Sequence, residues 1–398
     1  MVALPPRYET IVRKATMELA EVRKQLDEID AGLIALFVKR MGLAREVAAA
    51  KAQTGKAVFD PARERQKLLD VASRVPNELR PQAIALFSLL MSMNKAEQQK
   101  VLHAADDDSA SSRALASLAP ATEPWPVTAT VACQGVEGAY SQQAACRLFD
   151  VPGITYFDSF EDVFRAVRDG VCEFGVLPIE NSTAGSVNAV YDLLAKYRFT
   201  IVRSLRLKID HNVLARPGTR LEDVREVLSH EQALAQCAGY LERHGIKGTV
   251  CKNTAMAAEL VSQSDRTDLA ALSSRSCAGL YGLNVFDADV QDSDNNYTRF
   301  VVISAKPKIY PGATRSSIML TLEKTQPGAL YRVLERIFAL NINLVKLESR
   351  PIPGRDFDFV FYFDLECAPA MASFTELLDS LDDVCSWYEY FGSYTEVL

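Results

Sequence analysis

A helical repeat from residue 16 to residue 51 constrains the 398-residue sequence more than any other feature. Leu19, Val22, Leu26, Ile29, Leu33, Leu36 and Phe37 recur at three- and four-residue spacing, and the pattern runs on through Val47 and Ala50 to a stop at Thr54-Gly55. Helices in globular domains are usually about a dozen residues long, so one of ~36 implies a partner helix along its apolar stripe. Gly32 and Gly42 interrupt it at a cost of about 1 kcal/mol each. In Val58-Phe59-Asp60-Pro61, Asp60 caps a second helix and Pro61 takes its first position. That helix runs to about Ser73; Pro76 and Pro81 break the chain, and a third helix covers about 81–102. Residues 1–103 therefore read as an all-helical domain. Residues 104–126 are small, polar and proline-bearing, a linker with no periodic face.

Beyond the linker the pattern changes. Short apolar runs (VTATVAC, FGVLPI, TIVRSLRL, HNVLA, GTVC, LAAL, TRFVVIS) alternate with helical patterns that start at Ser141 and Ser186 and lie near 221–228, 231–244, 254–263 and 274–281. Such alternation over residues 127–304 predicts an α/β domain of two lobes with a cleft between them, joined by crossover strands near 201–209 and 285–300. After Pro311-Gly312 the order is β (317–323), α (329–339), β (342–350), a Pro-Gly turn, β (357–365), α (371–380), β (384–391). This β-α-β-β-α-β order predicts a ferredoxin-like module over 316–393, its helices on one face of an antiparallel sheet.

Charge and cysteine content narrow the function classes. Lys plus Arg is 44 and Asp plus Glu 51, a net charge of −7, which argues against general nucleic-acid binding. The first hundred residues nevertheless carry 17 basic and 12 acidic side chains, a net +5 able to hold an anion. Eight cysteines with no CxxC pair and only four histidines make a disulfide scaffold or a metal site a poor fit. No metal and no cofactor are expected. No run approaches 18 apolar residues, and the start MVALPPRYET lacks an apolar h-region, so a cytoplasmic chain without membrane contact is expected.

Cations sit where the long helix should pack. Arg40 and Lys51 are 11 residues apart, within 20° of the same face and about 16 Å apart along the axis, so both can touch a small ligand lying between them. Arg23 lies about 25 Å from Arg40 and fits a site belonging mostly to another subunit. Asp60, Arg63, Glu64 and Gln98 approach from the shorter helices. Two or three cations, a carboxylate and amides suit a small dianion with hydroxyl groups. Without a nucleophile or an acid–base dyad, the chemistry best served is a rearrangement within one molecule. A solvated hairpin with surface salt bridges is the competing reading of the same pattern.

The segments LAEVRKQLDEIDAGLIALFVKRMGLAREVAAAK (19–51), VFDPARERQ and LFSLLMSMNKAEQQKVL resemble the all-helical chorismate mutase domain over about 85 residues. That resemblance implies an intertwined dimer with two active sites. It puts Arg23 (from the second copy) and Arg40 on the substrate carboxylates, Lys51 and Gln98 on the ether oxygen and Glu64 on the hydroxyl. Asp60 and Arg63 complete the set, with Asn94 standing where serine is usual.

Five blocks after the linker resemble prephenate dehydratase: GAYS (138–141), VLPIENSTAG (176–185), SHEQALAQC (229–237), NTAMAA (253–258) and NNYTRF (295–300). The implied fold is two lobes like those of periplasmic solute-binding proteins, with the site in the cleft. The implied residues are Thr298 for catalysis, Arg299 on a substrate carboxylate, and Ser141, Asn181, Ser182, Ser229, Gln236 and Phe300 around the substrate. Val136 and Glu231 depart from the usual pattern. The C-terminal elements Gly328-Ala329-Leu330 and Glu348-Ser349-Arg350-Pro351 resemble the ACT domain of the same enzymes, which implies L-phenylalanine binding and feedback inhibition.

The combined expectation is a bifunctional enzyme. It converts chorismate to prephenate and prephenate to phenylpyruvate, works as a homodimer or a dimer of dimers, and answers to phenylalanine. An arogenate dehydratase and a non-catalytic phenylalanine sensor remain as alternatives.

Overall fold

The computed structural model describes residues 19–54, 60–103, 124–322, 328–352, 358–381 and 384–398. The expected helix start at 16–18, Gly55, Val58 and Phe59, linker residues 104–123, Gln326-Pro327 and the turn at Pro353-Gly354 lie outside the described residues. The chain divides into two compact units, residues Met1–Ser109 and Ala110–Leu398.

The first unit is helical. Helix α1 spans Leu19–Thr54, α2 Pro61–Ser73 and α3 Arg80–His103, with a single 3-10 turn at Asn77–Leu79. Asp60 caps α2 as the sequence predicts, its carboxylate accepting the Arg63 amide at 3.0 Å, with Pro61 at the first position. Helix α3 packs on both others, yet Ala44, Ala48 and Val71 are the only hydrophobic residues buried among those described here. The apolar stripe of α1 stands open: Leu26 is 53% exposed, Leu33 55% and Leu36 66%.

The second unit opens with parallel strands β1 (Thr128–Gln134), β2 (Val151–Phe157) and β3 (Phe174–Asn181), followed by the short β4 (Gly185–Ser186) and by β5 (Thr200–Lys208). The chain then enters a second lobe of five strands: β6 (Asn212–Ala215), β7 (Glu226–Ser229), β8 (Lys247–Val250), β9 (Leu269–Ser273) and β10 (Asn284–Asp287), in the order β10-β6-β9-β7-β8. It returns to the first lobe as β11 (Tyr297–Ser304), which lies antiparallel between β3 and β5. Two lobes, each with its own core, thus face one another across two crossings. The expected helix at 221–228 is absent: Leu221–Asp223 makes one 3-10 turn, and Glu226–Ser229 is a strand covered on both faces. The helix expected over 231–244 breaks at Cys237 into Glu231–Gln236 and Ala238–His244. Strand β2 escapes the sequence reading because Pro152 and Gly153 look like a turn; an edge strand, which β2 is, tolerates proline.

The C-terminal module has the predicted order. Strands β12 (Arg315–Leu322), β13 (Asn343–Pro351), β14 (Phe359–Glu366) and β15 (Cys385–Val397) alternate with helices Ala329–Ala339 and Ala372–Leu381. The strand order β13-β14-β12-β15 is ferredoxin-like. One face buries Ile318, Leu320, Phe363 and Leu365 under Phe374, Leu377 and Leu378 of its second helix. The other face does not meet water: Met319, Tyr362, Phe391 and Tyr394 join the first-lobe core around Phe164 and Leu177. Strand β15 also runs six residues past the expected end, and Thr395, Glu396 and Val397 pair in parallel with Arg203, Ser204 and Leu205 of β5. The two sheets become one of ten strands.

Gly392 makes that junction possible. Its φ is +113°, and a Cβ there would sit 2.5 Å from the Ile201 carbonyl oxygen and collide with the Thr200 methyl. Gly392→Ala is expected to cost about 2–4 kcal/mol through clash and backbone strain. Differential scanning calorimetry should show the melting of the second unit lowered by several degrees and that of the helical unit unmoved.

Candidate active sites

In the helical unit the third helix supplies what the long helix lacks. Arg40 Nη1 donates to the Leu90 carbonyl at 2.6 Å and to Asn94 Oδ1 at 2.8 Å, so Arg40 and Asn94 are brought together. Burial lowers the pKa of Arg40. Lys51, further along the same face of α1, is lowered first by burial and then by the nearby Arg63 charge, while Asp60 and Glu64 pull it up and Lys95 pushes it down. That set of neighbours gathers Lys51, Asp60, Arg63 and Glu64 around one point, as the sequence pattern requires. Lys95 joins them unforeseen, its ammonium 3.0 Å from Glu64 Oε1. It occupies the carboxylate expected to meet a substrate hydroxyl. Lys95 follows Asn94 by one residue, and no spacing rule singled it out. Gln98 is buried, its Oε1 without a hydrogen-bond partner among the described residues. Arg23 is exposed at the far end of α1 and joins none of these residues.

The cleft between the two lobes of the second unit holds a cavity of about 350 Å3. Thr298 and Phe300 line it from β11, Asn181 from β3, Ser141 from the start of helix Tyr140–Leu148, and Gln236 from the second lobe. Asn181 is the organising group. Its Oδ1 accepts from the Thr183 amide at 3.0 Å, the Thr183 hydroxyl at 2.7 Å and the Ala184 amide at 2.9 Å. Three donors fix which end of the amide points where. Nδ2 is thereby aimed at Asn296 Oδ1 (2.9 Å) and at Thr298 Oγ1 (3.0 Å). Because the Thr298 oxygen accepts that bond, its own O–H remains available to donate.

The far lobe closes the network. Gln236 donates to Thr183 Oγ1 at 2.6 Å and accepts from Asn296 at 3.1 Å and from His211 Nε2 at 2.8 Å. His211 is 2% exposed, and burial holds its pKa below the ordinary histidine value, so it stands as a neutral ring protonated at Nε2. Neither His211 nor Asn296 was foreseen. His211 immediately precedes the buried strand β6, and a lone histidine beside such an apolar run reads as core. Asn296 was visible as the second residue of NNYTRF, but its role depends on a contact 115 residues distant.

Three expected substrate contacts turn away from the cavity. Ser229 is fully buried, and its hydroxyl donates to the Leu272 carbonyl at 2.7 Å, tying β7 to β9. Ser182 donates to the Asn295 carbonyl at 2.7 Å and accepts the Tyr297 amide at 2.9 Å, which pins the segment leading to Thr298. Arg299 is the largest correction. Side chains alternate along a strand, so Thr298 and Phe300 face the cleft and Arg299 faces the opposite side. There it is 5% exposed and bonded through Nη2 to Asp364 of the C-terminal module, with Glu180 at 3.6 Å from Nε. Despite burial, the Asp364 charge holds the guanidinium pKa well above its ordinary value.

The effector residues divide in the same way. Gly328 has a left-handed φ of +79° and opens the helix that begins at Ala329 and Leu330. On β13, Lys346, Glu348 and Arg350 share the face toward the first lobe. Lys346 reaches Glu180 Oε1 at 3.0 Å, Glu348 accepts from the Ser186 hydroxyl at 2.7 Å, and Arg350 meets Asp192 at 3.1 Å. Ser349 and Pro351 lie on the exposed face. Among the described residues no group of three or more His, Cys, Asp or Glu is arranged to hold a metal, and no helix is long and apolar enough to cross a membrane.

Fold and sites together define a chain with a cation-lined site in a helical unit, a cavity in the cleft of a two-lobed α/β unit, and a ferredoxin-like module at its end. Residues 22–99 match the family model for chorismate mutase type II, and residues 131–308 that for prephenate dehydratase. An arogenate dehydratase/prephenate dehydratase of Arabidopsis thaliana is 38% identical over 66% of this chain and 71% of its own. The bifunctional chorismate mutase/prephenate dehydratase of Aquifex aeolicus is 29% identical over 96% of this chain and 99% of its own. The prephenate dehydratase of Arthrobacter aurescens, solved in complex with L-Phe, is similar over 67% of this chain and 89% of its own, with 26% identity and a TM-score of 0.61. The chain belongs to the prephenate dehydratase family, in its bifunctional form with a type II chorismate mutase domain ahead of the dehydratase.

Asn181→Asp keeps the acceptor for Thr183 and Ala184 and removes the donor to Thr298. Dehydratase kcat is expected to fall by about 100-fold with mutase turnover unchanged, read in one coupled assay. For the mutase site, a lysine held below its ordinary pKa loses its proton earlier as pH rises. The alkaline limb of mutase kcat/KM should lie below pH 10.5, and Lys51→Arg should remove it.

Proposed function

We propose that the chain catalyses two consecutive steps of L-phenylalanine biosynthesis. The helical domain (1–103) converts chorismate to prephenate, and the α/β domain (127–304), beyond the 104–126 linker, converts prephenate to phenylpyruvate, water and CO2. The ACT module (316–393) binds L-phenylalanine and inhibits the second step. No cofactor takes part, and the chain works in the cytoplasm without nucleic acid or membrane.

The observation that carries the dehydratase assignment is the bond from Asn181 Nδ2 to Thr298 Oγ1 beside the cavity. It leaves the Thr298 O–H free to donate to a ligand in the cavity. Prephenate becomes aromatic when its ring carboxylate leaves as CO2 and the electrons of that bond enter the ring while the C–O bond breaks. The departing oxygen carries the electron pair away and takes up a proton to become water. Threonine is too weak an acid to give up its proton fully, so Thr298 acts chiefly as a fixed donor to the developing hydroxide. Decarboxylation also requires a carboxylate that is not clamped by a cation. None of the residues lining the cavity is an Asp, Glu, Lys or Arg.

For the mutase, Arg40 holds a substrate carboxylate, with Asn94 fixing its guanidinium. Lys51 and Gln98 face the ether oxygen as its bond to carbon breaks, and Asp60, Arg63 and Glu64 complete the wall. Arg23 serves the site of a second copy. The exposed stripe of α1 supports that pairing, because a homodimer or a dimer of dimers would cover it.

The phenylalanine reading rests on Gly328-Ala329-Leu330 and Glu348-Ser349-Arg350-Pro351, with the bonds from Lys346, Glu348 and Arg350 into the first lobe as a route for coupling. Coupling is reciprocal, so phenylalanine that weakens prephenate binding is itself weakened by prephenate to the same factor.

The decisive experiment feeds chorismate to the intact chain and follows prephenate and phenylpyruvate together, with and without phenylalanine. Thr298→Ala should accumulate prephenate and lose at least about 1,000-fold in dehydration, while Lys51→Ala should stop prephenate formation and leave added prephenate consumed normally. Loss of both activities from either change would sink the assignment of two independent sites.

A further inference from the structure

Four side chains beside the cavity form a closed circuit of hydrogen bonds in which each passes a proton donor to the next. Asn181 Nδ2 donates to Asn296 Oδ1 at 2.9 Å, and Asn296 Nδ2 to Gln236 Oε1 at 3.1 Å. Gln236 Nε2 donates to Thr183 Oγ1 at 2.6 Å, and the Thr183 hydroxyl returns to Asn181 Oδ1 at 2.7 Å. Asn181 ends β3 and Thr183 follows it, Asn296 immediately precedes β11, and Gln236 ends helix Glu231–Gln236 of the second lobe. The circuit therefore closes across the cleft.

Its direction is set from both sides. The backbone amides of Thr183 and Ala184 donate to Asn181 Oδ1, so that amide cannot flip. Asn296 must then turn its oxygen to Asn181 and its nitrogen to Gln236, and Gln236 must meet it with an oxygen. His211 faces that same Gln236 oxygen through Nε2 at 2.8 Å, so Nε2 carries the imidazole proton. The other ring nitrogen, Nδ1, is buried without a hydrogen-bond partner among the described residues, and a proton there would be left unsatisfied. The imidazole is held in place around this bond. Its backbone amide donates to Gln291 Oε1 at 2.9 Å, its carbonyl accepts the Val290 amide at 2.9 Å, and its ring lies edge-on to Tyr140 with centroids 6.2 Å apart.

We infer that His211 and Thr183 are positioning residues of the dehydratase: His211 gives its N–H to Gln236 and so sets a one-way ring that spends the Thr183 proton on Asn181 and keeps the Thr298 proton for the substrate. A reversed Gln236 would turn its oxygen to Thr183 and draw that hydroxyl proton away from Asn181. In a one-way ring each bond polarises the next, so its members act as a unit. The ring is complete only with Gln236 in place, which makes contact between the lobes and the aim of the Thr298 donor one event. The inference rests on the dehydratase reading above and names the groups that direct its donor.

The test is steady-state kinetics on the full chain with prephenate, for His211→Leu, His211→Gln, Thr183→Val and the double variant of His211→Leu with Thr183→Val. Calorimetric melting of the second unit is the control for folding. His211→Leu and Thr183→Val are each expected to lower kcat about tenfold with KM changed less than about threefold. The double variant should lose no more than about threefold beyond either single one, because both open the same ring. His211→Gln, whose amide can present an N–H to Gln236, should recover kcat. Unchanged kcat in Thr183→Val would overturn the inference, as would fully additive losses in the double variant. A raised KM with kcat intact would do so too, since it would make His211 a substrate contact. Thr183 is exposed, so its variant decides if His211→Leu fails to fold. Imidazole 15N NMR of the unaltered chain gives an answer independent of activity: His211 should show a protonated Nε2 and a bare Nδ1, and the opposite tautomer would overturn the ring. Failure of the unaltered chain to dehydrate prephenate would remove the dehydratase reading instead, with the tautomer still deciding whether the ring exists.

Discussion

The second unit depends on one paired step in its sheet. Thr298 lies opposite Asn181 and Arg299 opposite Glu180, on adjacent rungs of β11 and β3. Successive side chains leave a strand on opposite faces. One rung therefore serves the cleft, with an amide bonded to a hydroxyl, and the next serves the C-terminal module, with a guanidinium bonded to Asp364 and a carboxylate bonded to Lys346. Thr298 and the buried charge cluster are neighbours along the chain, separated by the thickness of the sheet.

That placement explains why so much polar material is buried behind the site. Asp364 accepts from Ser317, which bonds Tyr394 at 2.8 Å, so β12, β14 and β15 all meet at the Arg299 cluster. A buried ion pair adds little net stability when compared with apolar packing, but breaking one leaves an uncompensated charge and is costly. The cluster thus ties the position of β11 to that of the module more firmly than apolar contact alone would. The strand pairing at Thr395–Val397 and the close approach at Gly392 hold the same junction by shape.

The helical unit solves a different problem. Its internal core is small, and its charges are arranged around Lys51 and Arg40 instead of being dispersed. Like charges at short range repel, and burial lowers both cations, so the wall is poised for a ligand that brings negative charge. The long apolar face of α1 takes no part in that core and stands exposed.

What the sequence determined by itself was local and periodic. The 36-residue helix, the Asp60 cap and the β-α-β-β-α-β order follow from spacing a few residues long, and the resemblance of the motif blocks to a known family put Asn181, Gln236 and Thr298 at a cavity. Which face each motif residue takes was decided only in three dimensions. Arg299 and Ser229 belong to the right blocks and point the wrong way, because strand alternation and the burial of partners hundreds of atoms away set their direction. His211, Asn296 and Lys95 entered the sites through contacts that no local pattern encodes. Residue type and period are properties of the chain, whereas the partner of a buried polar group is a property of the packed sheet.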